Sequence, residues 1–194
     1  MRGSAPSSSR RYFWNSTAAP QVAEQARTTE EIARDNGALG FRWTSNVEER
    51  TRLWSARDST LYAGTGLRPG SKALITDVCV PISRLAECLE ETKRDIAGSG
   101  LIAPIVGHVG DGNFHTLILI DPDVPEELAR AKALHERMVL RALALDGTCT
   151  GEHGIGFGKI EFLAREHGAA VGLMRAIKQP LDPDNLMNPG KIFS

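Results

Sequence analysis

The amino-acid sequence predicts an α+β fold, an antiparallel sheet packed with helices. Three observations predict it. Residues 103–106 and 116–120 are apolar segments on either side of a glycine-rich stretch, the pattern of two antiparallel strands. Leu74, Thr76, Val78 and Val80 mark one face of another strand, which Pro81 closes. Two long segments then repeat at helical spacing: Ile82, Leu85, Leu89, Thr92, Ile96 in one, and Leu128, Ala131, Leu134, Met138, Ala142, Leu145 in the other.

Taken in chain order, Val22, Ala26, Ile32 and Ala33 suit a first helix over residues 22–34, with Asn36-Gly37 as a left-handed stop. Leu39, Phe41 and Trp43 alternate with Gly40 and Arg42, which predicts a half-buried strand. Ser45-Asn46-Val47-Glu48 reads as a capping box for a helix through Trp54 and Arg57. Residues 66–71 break that helix, and Gly98-Ser99-Gly100 ends the one that starts at Ile82. Pro125, with Glu126 and Glu127 at the positive end, opens the long helix that Asp146-Gly147 stops. A glycine-rich loop over 147–158 leads to helical sequence from Ile160, interrupted near Gly168. No internal repeat is present.

A chain of 194 residues with 41% hydrophobic and 24% charged residues has the composition of an ordinary globular domain with one core. Its 23 basic residues against 24 acidic ones leave no basic stripe, which argues against nucleic acid as a partner. Cys79, Cys88 and Cys149 contain no CxxC pair and read as packing residues of a reducing compartment. No apolar run approaches the ~20 residues of a transmembrane helix. Peripheral attachment to a membrane stays open. From Met1 to Ala23 there are arginines and serines but no acidic residue, the composition of a mitochondrial transit peptide or of a disordered start. The expected organisation is thus a transit-like or disordered segment over 1–20 and one domain over 21–194.

Chemistry concentrates in Gly107-His108-Val109-Gly110-Asp111-Gly112-Asn113-Phe114-His115. Asp111-Gly112 suits a two-residue hairpin turn, because both positions tolerate positive φ. That turn pairs Gly110 with Asn113, Val109 with Phe114, and His108 with His115. Opposed residues share a face with Cβ atoms ~4.5–5.5 Å apart, so the two imidazoles can converge on one cation. The alternative is a pair of histidines merely flanking a surface turn. A third ligand is needed, and Glu152 in Gly151-Glu152-His153-Gly154-Ile155-Gly156 is the natural candidate. His153 beside it can face a substrate instead and accept a hydroxyl proton as general base. Gly154-Ile155-Gly156-Phe157-Gly158-Lys159-Ile160 is a poor phosphate loop, with glycine spacing one short and Ile160 where Ser or Thr would hold magnesium. GxGxxG, HExxH and GxSxG patterns are absent.

With the terminal Asp182-Pro183-Asp184-Asn185-Leu186-Met187-Asn188-Pro189-Gly190-Lys191, these motifs resemble the C-terminal domain of FAD-linked oxidases related to vanillyl-alcohol oxidase. That family includes D-lactate, D-2-hydroxyglutarate and glycolate oxidising enzymes. The likeness runs from about Val22 to Phe193. Ile75-Thr76-Asp77-Val78-Cys79-Val80-Pro81-Ile82-Ser83-Arg84-Leu85 is most similar to the cytochrome-linked D-lactate dehydrogenase branch. The resemblance implies a ferredoxin-like substrate domain. It implies His108, His115 and Glu152 as ligands of a divalent metal, zinc in the first instance, and His153 as the base. It further implies Arg57 as the grip on the substrate carboxylate, against the plainer reading of an exposed helix charge, and Asn188 in a terminal segment that returns to the flavin, against that of a helix-terminating turn.

Two departures bear on function. Family members acting on dicarboxylic hydroxy acids have asparagine two positions after the second histidine; here that position is Leu117, which favours a small monocarboxylate such as lactate. The FAD-binding domain that precedes this region in the family is not encoded in these residues, so the chain is expected to be a fragment, inactive alone. The implied activity is oxidation of D-lactate to pyruvate, with FAD held mostly by a separate domain or subunit and an electron acceptor such as cytochrome c or a quinone. The implied location is mitochondrial in a eukaryote, and cytoplasmic or peripherally membrane-associated otherwise. Competing readings are a D-2-hydroxyglutarate or glycolate dehydrogenase fragment, a non-catalytic metal-binding remnant, and a zinc hydrolase using activated water.

Overall fold

The structure, a computed structural model, describes residues 21–193. The transit-like reading of residues 1–20 therefore lies outside the described residues. The described residues fall into two compact units, divided between Thr60 and Leu61.

In the first unit, helix α1 (Val22–Asp35) ends as expected at Asn36, followed by Gly37 with φ of 78°. Helix α2 (Val47–Asp58) has Asn46, not Ser45, as its N-cap: the Asn46 side chain accepts a hydrogen bond from the Glu49 amide at 3.0 Å. The strand expected over Leu39, Phe41 and Trp43 does not form. Alternation there has no neighbouring ladder to satisfy the backbone, and Leu39 stands exposed.

The second unit carries the sheet. After α3 (Thr60–Thr65) come β1 (Lys72–Ile75), β2 (Val78–Cys79), α4 (Ile82–Ser99), β3 (Ile105–His108), β4 (Asn113–Ile120), α5 (Pro125–Ala144), α6 (Ile160–His167) and α7 (Ala170–Leu181). Among the described residues every pairing between strands is antiparallel and is with β4: β1 and β2 on one edge, β3 on the other. β1 pairs Ile75 with Leu117 and β2 pairs Val78 with Phe114, one uninterrupted register, so the alternation over 74–80 reads through both. Thr76 and Asp77 fall in the gap, and the Thr76 amide still donates to the Thr116 carbonyl at 3.0 Å. The continued register sets Asp77 opposite His115.

Every residue of β4 is buried, but its two faces meet different surroundings. Phe114 joins a core with Val78, Val80, Leu85, Met138 and Phe162, while Ile118 and Ile120 join a second with Leu101, Ala131 and Leu134. Thr116 lies between them, its hydroxyl 2.8 Å from that of Thr76. Most of the stripes read from α4 and α5 supply these cores; Ile82 and Leu128 at their N-terminal ends are exposed. Asp146 (φ 59°) and Gly147 stop α5 as expected, and Gly147 is required because a Cβ would stand 2.3 Å from the Cys79 carbonyl oxygen. Gly168 (φ 52°) separates α6 from α7. Cys79 is half-buried, Cys88 and Cys149 buried, and all three are free thiols. Burial pushes the Cys149 thiol up to about 12, in keeping with a packing role. Among the described residues no helix is long and apolar enough to cross a membrane.

Candidate metal centre

The other face of β4 presents Asn113, His115 and Leu117. His108 reaches the same face, though not by the expected pairing. The hairpin closes with a four-residue loop, not the two-residue Asp111-Gly112 turn: His108 pairs with Asn113, Gly107 with Phe114, and Val106 with His115. The Asp111 amide donates to the His108 carbonyl at 2.9 Å, and only Gly112 takes positive φ, 75°. Gly112 is held there by its surroundings, since its carbonyl accepts from the Val80 amide at 3.0 Å and a Cβ would lie 2.0 Å from the Val80 oxygen. The register thus differs from the expected one by two residues. Side chains alternate with a period of two, so the histidines stay on one face as diagonal neighbours, ring centroids 6.0 Å apart.

Glu152 comes to them from the loop after α5. Its Oε1 lies 2.8 Å from His115 Nε2 and 3.6 Å from His108 Nε2. One potential ligand atom from each of the three residues falls within 4.8 Å of the others. His115 Nδ1 is 3.0 Å from the Thr76 carbonyl, which accepts from an Nδ1–H and leaves the Nε2 lone pair facing Glu152. Two imidazole nitrogens and a carboxylate oxygen converging on one space form a donor set suited to a divalent cation with positions left open. His115 is buried, with its side chain 8% exposed, whereas those of His108 at 38% and Glu152 at 49% border solvent, so the cluster has an inner wall and an open side. The His153 ring stacks on His115, centroids 4.9 Å apart and planes 10° from parallel. Its Nε2 is 3.7 Å from Glu152 Oε1, outside the three-ligand group.

Beneath the cluster lies a residue that sequence reasoning did not single out. Asp77 is fully buried. Its Oδ1 accepts from Asn113 Nδ2 at 2.8 Å, and its Oδ2 from Thr150 Oγ1 at 2.7 Å, the Glu152 amide at 3.1 Å and the His153 amide at 2.9 Å. Lys159 Nζ sits 2.8 Å from the Asp77 carbonyl and 3.4 Å from Oδ2. Burial pushes the Asp77 carboxyl up, but the His153 amide, the Thr150 hydroxyl, Asn113 and the Glu152 amide outweigh it and hold the group well below the usual carboxylate range. Burial also lowers Lys159, opposed by Asp77. Burial first, then the charge of Lys159, pushes His135 of α5 down to about 4. The His135 Nε2 is buried without a hydrogen-bond partner, and its ring meets Phe162 edge-on at 5.8 Å. Gly151 lets the loop seat on Asn113, because a Cβ there would stand 1.9 Å from Asn113 Nδ2. The one local sign that could have drawn attention to this hub is a charged residue, Asp77, among the alternating apolar positions of residues 74–80.

The three-ligand group does not include the other expected site residues. Arg57 belongs to the first unit, on α2, its Nη1 3.3 Å from Asp58 Oδ1 and its guanidinium 5.4 Å over the Trp54 ring. Asn188 is an exposed turn residue with φ of 50°, its side chain accepting from Lys191 Nζ at 3.2 Å. Leu117 shares the face of His115 one step along β4, but it is buried, and a Cβ on Gly64 would stand 2.6 Å from its Cδ1.

Comparison with known proteins agrees with this architecture. The chain is 54% identical over 173 residues to "Probable D-lactate dehydrogenase, mitochondrial" of Danio rerio, covering 89% of this chain and 35% of that protein. It is 43% identical over 171 residues to "D-lactate dehydrogenase [cytochrome], mitochondrial" of Arabidopsis thaliana, covering 88% and 30%. It is 33% identical to "Glycolate oxidase subunit GlcD" of Escherichia coli (strain K12), covering 88% and 34%. The chain therefore spans about a third of the length of these relatives. Among solved structures, the 4-ethylphenol oxidase of Gulosibacter chungangensis in its isoeugenol complex matches with a TM-score of 0.53 at 19% identity, over 88% of this chain and 37% of that one, which speaks to the fold. Residues 13–192 match the family described as "FAD linked oxidases, C-terminal domain", and the chain belongs to that family.

Proposed function

We propose that this chain is the substrate- and metal-binding part of an FAD-dependent D-2-hydroxyacid dehydrogenase that oxidises D-lactate to pyruvate. The observation that carries the proposal is the convergence of His108, His115 and Glu152 on one open-sided space, in a chain of this family with relatives named D-lactate dehydrogenase. His108, His115 and Glu152 would hold a divalent ion, zinc in the first instance. Bound there, such an ion lowers the pKa of a hydroxyl it touches, and FAD supplies the electron-accepting chemistry. His153, stacked on His115 and half-exposed, takes up the hydroxyl proton. Arg57 is assigned the substrate carboxylate and Asn188 an edge of the flavin site. Leu117 contributes no polar group toward a second carboxylate, which supports a monocarboxylate. Leu173, Ile177 and Leu181 repeat along one face of α7 and are exposed, which supports docking of an FAD-binding domain or subunit. The relatives' names support a mitochondrial location and a cytochrome as electron acceptor.

Elemental analysis tests the site. The purified chain should hold about one divalent ion per molecule, and His108→Ala and His115→Ala should each lose it while retaining the fold. Equal metal content in all three would remove the metal reading. In a chimera with a competent FAD domain, His153→Ala should keep the metal and lose turnover, and D-lactate should outperform D-2-hydroxyglutarate. Preference for the dicarboxylate would reassign the substrate.

A further inference from the structure

We propose that Asp77 is the positioning residue of this site: one buried carboxylate fastens the loop that carries Glu152 and His153, and thereby sets the third ligand against the two histidines. The inference rests on the metal-site reading above.

Within the loop itself the contacts are long: Thr150 Oγ1 lies 3.2 Å from the Gly154 carbonyl, and the Thr150 amide 3.4 Å from Thr148 Oγ1. Gly151, Gly154 and Gly156 give the loop a wide choice of backbone conformation, and the Glu152 side chain is half-exposed, with its carboxylate directed at His108, His115 and His153. Its start is anchored independently, by the bridge between Cys79 and Thr148 and by the Cys149 amide donating to Glu166 Oε2 at 2.8 Å. From Thr150 to His153 the hydrogen bonds to the sheet go to Asp77; further along, Ile155 packs against the core and the Gly156 carbonyl accepts from the Ile192 amide at 2.9 Å. One hydroxyl and two consecutive amides, those of Thr150, Glu152 and His153, converge on Asp77 Oδ2, an arrangement that fixes both the position and the direction of the Glu152 backbone. Its Oδ1 takes Asn113, the residue paired with His108, so loop and hairpin share one acceptor. The same two-residue gap in the edge strand serves His115, whose Nδ1 is held by the Thr76 carbonyl. Asp77 is not itself a ligand. It is buried under the loop, its oxygens are taken by these donors, and Lys159 lies against it.

Co(II) added to the metal-free full chain is the probe, read by equilibrium titration and by its visible absorption. Asp77→Asn has the same size but turns donors toward donors. It should weaken Co(II) binding by about 10- to 100-fold and shift the absorption toward that of Glu152→Gln. In a Glu152→Gln background the same change should have no further effect, because Asp77 acts through Glu152. Amide exchange at Glu152 and His153 should accelerate while β4 stays protected. Thr150→Val, which keeps the charge and removes one donor, should weaken binding by about 10-fold, and Thr150→Ser should restore it. Wild-type affinity and spectrum in Asp77→Asn, or an equal loss with and without Glu152, would overturn the assignment. Should Asp77→Asn fail to fold, wild-type affinity in Thr150→Val overturns it instead. A wild-type chain that takes up no Co(II) would overturn the metal reading of the site and this proposal with it.

Discussion

The two faces of β4 are equally buried and do different work. Phe114, Ile118 and Ile120 lie against helices through contacts that any well-shaped apolar side chain can make, whereas Asn113 and His115 on the other face are fixed by named donors and acceptors. The core face is a matter of volume, the site face of direction. Volume errors lower stability and leave chemistry intact; direction errors should do the reverse.

Four changes break or sharpen that contrast. Phe114→Ala removes a fully buried ring and should lower unfolding free energy by about 3–5 kcal/mol, measured in urea, while the folded fraction retains its metal stoichiometry. Acid comes next. His135 falls from an ordinary value of 6.5 to about 4 in the fold, so the unfolded chain binds the proton more readily. The stability it contributes is complete above pH 6.5 and is lost as pH falls toward 4, up to about 3 kcal/mol. Urea midpoints across that window should flatten in His135→Gln, and an unchanged slope would refute the assignment. On the site face, Gly151→Ala forces a methyl onto Asn113 and should cost about 1–3 kcal/mol while lowering metal affinity more than any core-face change. Equal affinity would mean the loop can seat without that close approach. Thr116→Val removes a buried hydroxyl pair with Thr76 and should cost about 1 kcal/mol, with no change in metal content.

The sequence carried the volume face more fully than the direction face. Helical stripes and alternating strands record which side of an element meets the core, and α1, α4, α5 and the break at Gly168 follow them closely. Where alternation lacked a neighbouring strand, at Leu39, Phe41 and Trp43, it misled. That the two histidines share a face was legible through parity alone: the hairpin loop is longer than expected, yet a shift of two residues leaves His108 and His115 on their face. The place of Glu152 beside them was expected from the residue types around it. Asp77 was not, because its partners Thr150 and His153 lie 73 and 76 residues away, and no local period records such a pairing.

That separation also sets an order of assembly. The hairpin bearing both histidines closes over four residues, a fast local event, while Glu152 reaches them only after the edge strand, α4, the hairpin and α5 have collected around β4. A refolding chain should therefore have its two imidazoles in place well before its carboxylate. Affinity for Co(II) followed by stopped flow should rise in two stages, with the larger gain in the slower, when the Gly151 loop seats on Asn113 and Asp77.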